Sequence, residues 1–175
     1  GSENDIIYTE GGNDTIYAEY GDDTIYAGSG DDYISGGYGV DKIYSGSGND
    51  RINAGAGYDI IYYNRGDGHD TIEGDELKTS FNTIRFGSSI SKENITFEKS
   101  NNDLKINILP LDGTIVTDTI TLKGFYLNNL TVERLEFDNN QFLEFREATN
   151  EIDYLIFDNT SNIVNALAGD DYINT

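Results

Sequence analysis

Residues 10–35, Glu-Gly-Gly-Asn-Asp-Thr-Ile-Tyr-Ala-Glu-Tyr-Gly-Asp-Asp-Thr-Ile-Tyr-Ala-Gly-Ser-Gly-Asp-Asp-Tyr-Ile-Ser, repeat themselves every nine positions, and that period decides the fold. Working outward, Asp5, Asp14, Asp23, Asp32, Asp41, Asp50 and Asp59 each stand nine apart. From the second onward a glycine lies two residues before each (Gly12, Gly21, Gly30, Gly39, Gly48, Gly57), and two residues after every one lies isoleucine (Ile7, Ile16, Ile25, Ile34, Ile43, Ile52, Ile61). An eighth unit, Gly66 to Ile72 with Asp67 and Asp70, follows after a two-residue slip. Six turn residues and three strand residues make half a coil, so two repeats close one flattened turn of a parallel roll. Aspartates 18 residues apart then face each other at roughly the 4.8 Å spacing of neighbouring strands. The expected fold class is all-β: a parallel β-roll followed by an antiparallel β-rich capping domain.

Two carboxylates held that close repel, and a hard divalent cation taking roughly six to eight oxygens fits between them. Carboxylates alone supply too few oxygens, so main-chain carbonyls must complete the shell, and glycine lets the chain turn them inward. With no cysteine and one histidine, the donor set is oxygen, which points to calcium rather than zinc.

The glycine, aspartate and isoleucine spacing resembles the calcium-binding nonapeptide repeat of the RTX family of bacterial exported proteins. The resemblance implies a finer assignment. One turn gives the carbonyls four and two residues before its Asp, and the turn 18 residues later gives those five and three before its own. One ion would sit among Glu10, Gly12, Asp14, Ala27, Ser29 and Asp32, and another among Glu19, Gly21, Asp23, Gly36, Tyr38 and Asp41. A third would use Gly28, Gly30, Asp32, Ser45, Ser47 and Asp50, and a fourth Gly37, Gly39, Asp41, Ala54, Ala56 and Asp59. End sites would use Glu3, Asp5, Ala18, Tyr20 and Asp23, and Gly46, Gly48, Asp50, Arg65, Asp67 and Asp70. These make about six Ca2+ ions in two rows of three. The resemblance also implies type I secretion, an extracellular bacterial location and a parent protein such as a toxin, protease, lipase or adhesin.

Charge agrees with this reading. Residues 1–75 carry 16 Asp and Glu against three Lys and Arg, a net of −13, within a chain of net charge −21. Six divalent ions would bring +12 and nearly neutralise the repeat. Sixteen of the 20 glycines lie in the same stretch, so its unfolded chain is floppy and costly to order. The expectation is that the repeat is disordered without calcium and folds on binding it.

A second pattern lies in the last strand position of each repeat. Alternate repeats read Tyr8, Tyr26, Tyr44, Tyr62 on one sheet and Tyr17, Ser35, Asn53, Glu73 on the other. With isoleucine inward, one outer face should carry a tyrosine ladder flanked by Ile6 and Ile60. Aromatics favour strands and cover a thin core, which explains the ladder without a ligand. The alternative is a contact surface for later residues, a host-cell receptor or a glycan. His69 is expected as an exposed, inert imidazole; Arg65 could pair with a calcium-site carboxylate, and Glu73 with Asp75 could complete a last half-site at the roll's end.

From about residue 76 to 160 the period changes. Ile84 and Phe86, Ile95 and Phe97, Leu104 with Ile106 and Ile108, Ile120 and Leu122, Leu135 and Phe137, and Leu143 and Phe145 alternate with polar residues, as strands buried on one face do. Short connections favour antiparallel pairing. The segment resembles the domain that follows haemolysin-type repeats in the RTX family, with Asp138-Asn139 at a final turn where the relative shows Asp-Gly; asparagine tolerates the left-handed conformation. It is the natural cover for the open ladder at the end of the roll. Residues 161–175 restart the repeat with Asn162-Ile163-Val164 and Gly169 to Ile173, as in a truncated next block. Gly1-Ser2 reads as a cloning remnant. A monomer is expected, with the tail offering end-to-end contacts.

No His-Glu-x-x-His helix, Gly-x-Ser-x-Gly elbow or phosphate-binding glycine loop occurs, so no catalytic residues are assigned and no enzyme is expected. The acidic charge disfavours nucleic acid. No apolar run approaches the roughly 18 residues of a membrane span. Two function classes remain: a calcium-dependent folding and export module, and an adhesin-like receptor- or glycan-binding module.

Overall fold

The isoleucine that follows each repeat aspartate is the unit from which the core is built. Ile16, Ile25, Ile34, Ile43, Ile52, Ile61 and Ile72 are all buried, stacked coil on coil. Full burial of each such side chain contributes about 1.5–3 kcal/mol. The computed structural model describes residues 1–74, 80–111, 118–125, 132–138 and 140–145, together with the backbone of Asp153–Phe157 and Ile163–Ala166.

Odd and even half-coils separate into two sheets. Strands β1 (Ile6–Tyr8), β3 (Thr24–Ser29), β5 (Lys42–Ser47) and β7 (Ile60–Tyr63) lie side by side in one, and β2 (Thr15–Tyr17), β4 (Tyr33–Gly39), β6 (Arg51–Gly57) and β8 (His69–Ile72) in the other. All pairings are parallel, with Ile7 opposite Ile25, Ile25 opposite Ile43, and Ile16 opposite Ile34, the expected 18-residue register. The inner strands exceed the expected three residues. Pairing continues into the turns, where Gly28 faces Gly46 and Ser29 faces Ser47, so β3 to β6 reach six or seven residues.

The eighth half-coil shifts the register to 20, with Ile52 opposite Ile72. The reason is Tyr63. It stands where Ala54 and Ala27 close earlier coils, yet it is 1 % exposed, and the longer turn makes room for its ring. Tyr63 meets Phe86 edge-on (6.2 Å, 83°), and Phe86 stacks on Phe137 (5.2 Å), so the thin aliphatic core widens into an aromatic one.

Beyond the roll the same two sheets continue. Strand β9 (Thr83–Phe86) adds parallel to β7, β12 (Asp118–Leu122) parallel to β8, and β13 (Arg134–Glu136) parallel to β9. Antiparallel pairing then closes each side: β10 (Ile95–Ser100) and β11 (Asp103–Ile108) beyond β12, and β14 (Phe142–Phe145), β15 (Asp153–Phe157) and β16 (Ile163–Ala166) beyond β13. Among the described residues the result is a nine-stranded and a seven-stranded sheet sharing one core. Short connections suggested antiparallel neighbours throughout, but β9, β12 and β13 add to sheet edges that the roll already presents in parallel. The apolar cap residues Ile84, Phe86, Leu104, Ile106, Ile108, Ile120, Leu122, Leu135, Phe137, Leu143 and Phe145 are buried, and Ile90 and Val132 join them without a strand pattern to announce them. At the β13–β14 turn it is Asn140 that takes positive φ (59°), with Phe137 N–H donating to Gln141 O (2.8 Å); Asn139 lies outside the described residues. Ile163 and Val164, read as the opening of a further repeat, belong to β16 antiparallel to β15, and residues 167–175 lie outside the described residues.

Candidate metal centres

Stacking the coils stacks the aspartates. The backbone N–H of Asp5 donates to Asp23 Oδ1 (2.7 Å), that of Asp14 to Asp32 (2.8 Å), of Asp23 to Asp41 (2.8 Å), of Asp32 to Asp50 (2.8 Å) and of Asp41 to Asp59 (2.9 Å). One carboxylate oxygen of each later residue is thereby fixed. The other is not: Oδ2 of Asp14, Asp23, Asp32, Asp41 and Asp50 is buried and meets no hydrogen-bond donor. A buried carboxylate oxygen without a partner carries its full desolvation cost.

Its effect shows in the ionisation of the carboxyls. Burial pushes Asp41 up to about 6, with the charges of Asp23 and Asp22 adding to it and the Asp23 N–H opposing. Burial likewise pushes Asp50 up to about 6, and Asp32 is raised for the same reason. A cation between these carboxylates would offset both the burial and the repulsion.

Hydrogen bonds between coils bring together the residues whose main-chain oxygens the resemblance assigns to the ions. In the first complete set, Ser29 N–H donates to Glu10 O (2.9 Å), Gly12 N–H to Ser29 O (2.8 Å) and Thr9 Oγ1 to Ala27 O (2.7 Å), which draws Glu10, Gly12, Asp14, Ala27, Ser29 and Asp32 together. In the second, Tyr38 N–H donates to Glu19 O (2.7 Å) and Gly21 N–H to Tyr38 O (3.0 Å) beside Asp23, Gly36 and Asp41. Gly30 N–H to Ser47 O (2.8 Å) ties Gly28, Gly30 and Asp32 to Ser45, Ser47 and Asp50. In the fourth set Tyr38 faces Ala56 and Gly39 faces Gly57, while a Cβ on Gly36 would sit 2.6 Å from Asp41 Oδ2 and overlap Ala54 O. Oxygens of Asp41 and Ala54, assigned to one ion, therefore converge on a spot that only glycine leaves open. No three His, Cys, Asp or Glu side chains converge among the described residues, so an ion held here is held largely by carbonyls.

At the first end site Asp5 N–H donates to Asp23 Oδ1 (2.7 Å), Gly1 O accepts from Tyr20 N–H (3.2 Å), and a Cβ on Gly21 would sit 2.4 Å from Glu3 O. The orphaned oxygens, with the carbonyl-bearing residues drawn up beside them, are a donor set that fits a hard divalent ion.

The last set differs. Gly48 N–H donates to Asp67 O (2.8 Å) and Asp50 N–H to Asp70 Oδ1 (3.1 Å), so Gly46, Gly48, Asp50, Asp67 and Asp70 are juxtaposed. Yet Asp70 Oδ2 accepts from Ser45 Oγ (3.1 Å). Burial, with Asp50 close by, pushes Asp70 up to about 8. Burial also pushes Asp67, whose Oδ2 accepts from Asn64 N–H (2.7 Å), up to about 6. The Arg65 side chain does not reach a carboxylate as expected. It donates to Ser89 O (2.9 Å) and Leu109 O (2.7 Å), because the widened turn aims it at the cap's loops. Glu73 pairs with Arg51 (2.6 Å) rather than lining a half-site, and Asp75 lies outside the described residues. His69 is exposed, with Nδ1 3.0 Å from Thr119 Oγ1.

A second ladder, which the nine-residue period alone does not announce, runs outside the first. Asp22 N–H donates to Asn4 Oδ1 (2.8 Å), Asp31 to Asn13 (3.0 Å), Val40 to Asp22 (2.9 Å) and Asn49 to Asp31 (2.8 Å). These side chains take the N–H before Asp23, Asp32, Asp41 and Asp50, which therefore does not go to a glycine carbonyl of the coil below. The signal was the Asn or Asp preceding most repeat aspartates.

On the outer face Tyr8, Tyr26, Tyr44 and Tyr62 stack at 4.7, 4.6 and 4.1 Å, within 13° of parallel. Arg85 extends the column from beyond residue 75, 5.6 Å from the Tyr62 ring centre and donating to its hydroxyl (3.2 Å) while paired to Glu136 (2.6 Å). Tyr20 and Tyr38 form a shorter stack at 5.0 Å.

One family model agrees with the geometry of the repeat. The RTX calcium-binding nonapeptide repeat (4 copies) matches residues 1–34, 26–61 and 35–68. No curated protein sequence matches the chain. Among solved structures, the AlgE6R3 subunit of the Azotobacter vinelandii mannuronan C5-epimerase is similar at 18 % identity and a TM-score of 0.43, over 71 % of this chain and 73 % of that one. The AlgE6R2 subunit is similar at 16 % identity and a TM-score of 0.39, over 75 % of this chain and 89 % of that one. With the nine-residue period, the 18-residue register and the stacked aspartates, residues 1–68 are a block of RTX calcium-binding nonapeptide repeats.

Proposed function

We propose that the chain is a calcium-dependent folding module of a bacterial protein exported by type I secretion, with the parent a toxin or related exported protein. The roll of residues 1–75 is unfolded where free calcium is scarce and passes the export channel as a flexible chain. Outside the cell, calcium at about millimolar concentration, the range of weak extracellular sites, fills the gaps between aspartates and drives folding against the cover of residues 76–160.

The carrying observation is the row of buried Oδ2 atoms of Asp14, Asp23, Asp32, Asp41 and Asp50 with no donor. Each is a stability cost that a bridging divalent ion removes, and without it the stacked charges repel. Glu10, Gly12, Ala27, Ser29, Glu19, Gly21, Gly36, Tyr38 and their counterparts in the next coils would complete the shell through carbonyls.

The tyrosine ladder gives less support to a glycan-binding reading. Sugars stack on ring faces, and within the ladder the faces are spent on one another at 4.1–4.7 Å.

Far-ultraviolet circular dichroism in chelator and in about millimolar calcium tests the proposal. Strand signal should appear only with calcium; equal strand content in both at neutral pH overturns it.

A further inference from the structure

Resting on the calcium reading above, we propose that the gap between Asp50 and Asp70 is closed by the protein's own donors and takes no calcium, so that the row running through Asp14 and Asp32 ends at Asp50. Three features set this gap apart from those below it.

The first is Ser45. Its hydroxyl, fully buried, donates to Asp70 Oδ2 at 3.1 Å, so both oxygens of Asp70 have a donor, unlike those of the five aspartates named above. Alanine stands at the equivalent positions 18, 27 and 54, where no such hydroxyl exists.

The second is the carbonyl of Gly48. In the regular coils the outer ladder takes the N–H preceding the upper aspartate, as Asn13 takes that of Asp31 and Asp31 that of Asn49, so that N–H does not go to the glycine carbonyl of the coil below. The slip to a 20-residue register breaks this device, and His69 N–H donates to Gly48 O instead (3.0 Å). The third is Tyr63, whose buried ring fills the widened turn and whose hydroxyl donates to Gly68 O (2.6 Å).

The other row ends in the same manner. Above Asp59 the carbonyls of Gly55 and Gly57 accept from Ser80 Oγ (2.9 Å) and Phe81 N–H (2.9 Å), and Asn82 Oδ1 takes the N–H of Asp59 (3.1 Å), a neutral amide where a carboxylate stands in each coil below. Both rows thus pass from ion-bridged to protein-bridged stacking where the cap begins.

The test is anomalous scattering from crystals of the full chain grown in calcium, for the wild type and for Ser45→Ala, which keeps the main-chain carbonyl. In the wild type, peaks are expected between Asp14 and Asp32, Asp32 and Asp50, Asp23 and Asp41, and Asp41 and Asp59, with none between Asp50 and Asp70. A wild-type peak in that last gap overturns the proposal. Ser45→Ala should gain one ion there; an empty gap in the variant overturns the part given to Ser45. Absence of peaks in every gap would instead defeat the calcium reading on which the proposal rests.

Discussion

What an added methyl group would meet distinguishes Gly57 from Gly12. Both have positive φ, 150° and 114°, but a Cβ on Gly57 would overlap Gly39 O in the coil below, whereas one on Gly12 meets nothing within 4 Å. Gly57→Ala should therefore cost about 2–4 kcal/mol and Gly12→Ala about 1–2 kcal/mol, the first adding a broken stack to backbone strain. Urea unfolding in saturating calcium measures both; equal losses would show that strain alone matters. The aspartates divide in the same way. Asp32 belongs to two of the proposed ion shells, so Asp32→Asn should raise the calcium concentration at the folding midpoint roughly tenfold or more. Asp22 lies in the outer ladder, where Asn4 and Asn13 already serve the same role through Oδ1. Asp22→Asn should shift that midpoint less than about twofold, within the usual range of surface changes. A calcium titration followed by circular dichroism separates the two, and similar shifts for both would deny the inner row its special place.

At the scale of elements, β1, β3, β5 and β7 carry the tyrosine column. Tyr44 is sandwiched by Tyr26 and Tyr62 at 4.6 and 4.1 Å, so Tyr44→Ala removes two ring contacts, worth about 1–3 kcal/mol together. The near-ultraviolet dichroism that calcium induces should fall by more than the share of one of the 13 tyrosines, because the coupled rings lose their middle member. A loss of only one tyrosine's share would mean that the rings are not stacked in solution. The roll was legible because a fixed period ties Asp32 to Ile34 and each coil to the next, which sets strand, face and register together. In the cap the alternation of Leu104, Ile106 and Ile108 revealed strands but not their neighbours. Ile61 meets Ile84, and Ile84 meets Leu135, at separations that follow no period, since loops of unequal length intervene. The aspartate ladder's continuation was hidden for the same reason: Asn82 accepts from Asp59 N–H (3.1 Å) and Glu133 Oε2 from Asn82 N–H (2.6 Å), two residues with no repeat around them. The carbonyls assigned to the ions are readable only through the family resemblance, whereas the partners of Ser45 and of the outer Asn4, Asn13, Asp22 and Asp31 depend on which coils meet, which no local pattern states.

For the whole molecule the governing quantity is buried negative charge. The chain carries −21, and burial raises Asp41 and Asp50 to about 6, Asp70 to about 8 and Glu133 to about 7, against ordinary values of 3.8 for Asp and 4.5 for Glu. A carboxyl whose folded value lies above its unfolded one takes up a proton on folding. Its contribution favours the folded chain fully below the unfolded value and is lost as pH rises through the folded one. For the metal-free protein that window runs from near 3.8 to about 6 for Asp41 and Asp50, and to about 8 for Asp70. Protons and calcium relieve the same repulsion, so they should replace each other. In chelator, lowering the pH from about 8 to about 4.5 should restore part of the strand signal, with sedimentation confirming monomers near the isoelectric point of 4.1. In saturating calcium the same acidification should weaken folding, because protonated carboxyls release the ion. If chelated protein gains no strand on acidification while calcium still folds it at neutral pH, stacked charge is not what keeps the metal-free chain open, and glycine-rich chain entropy becomes the stronger explanation.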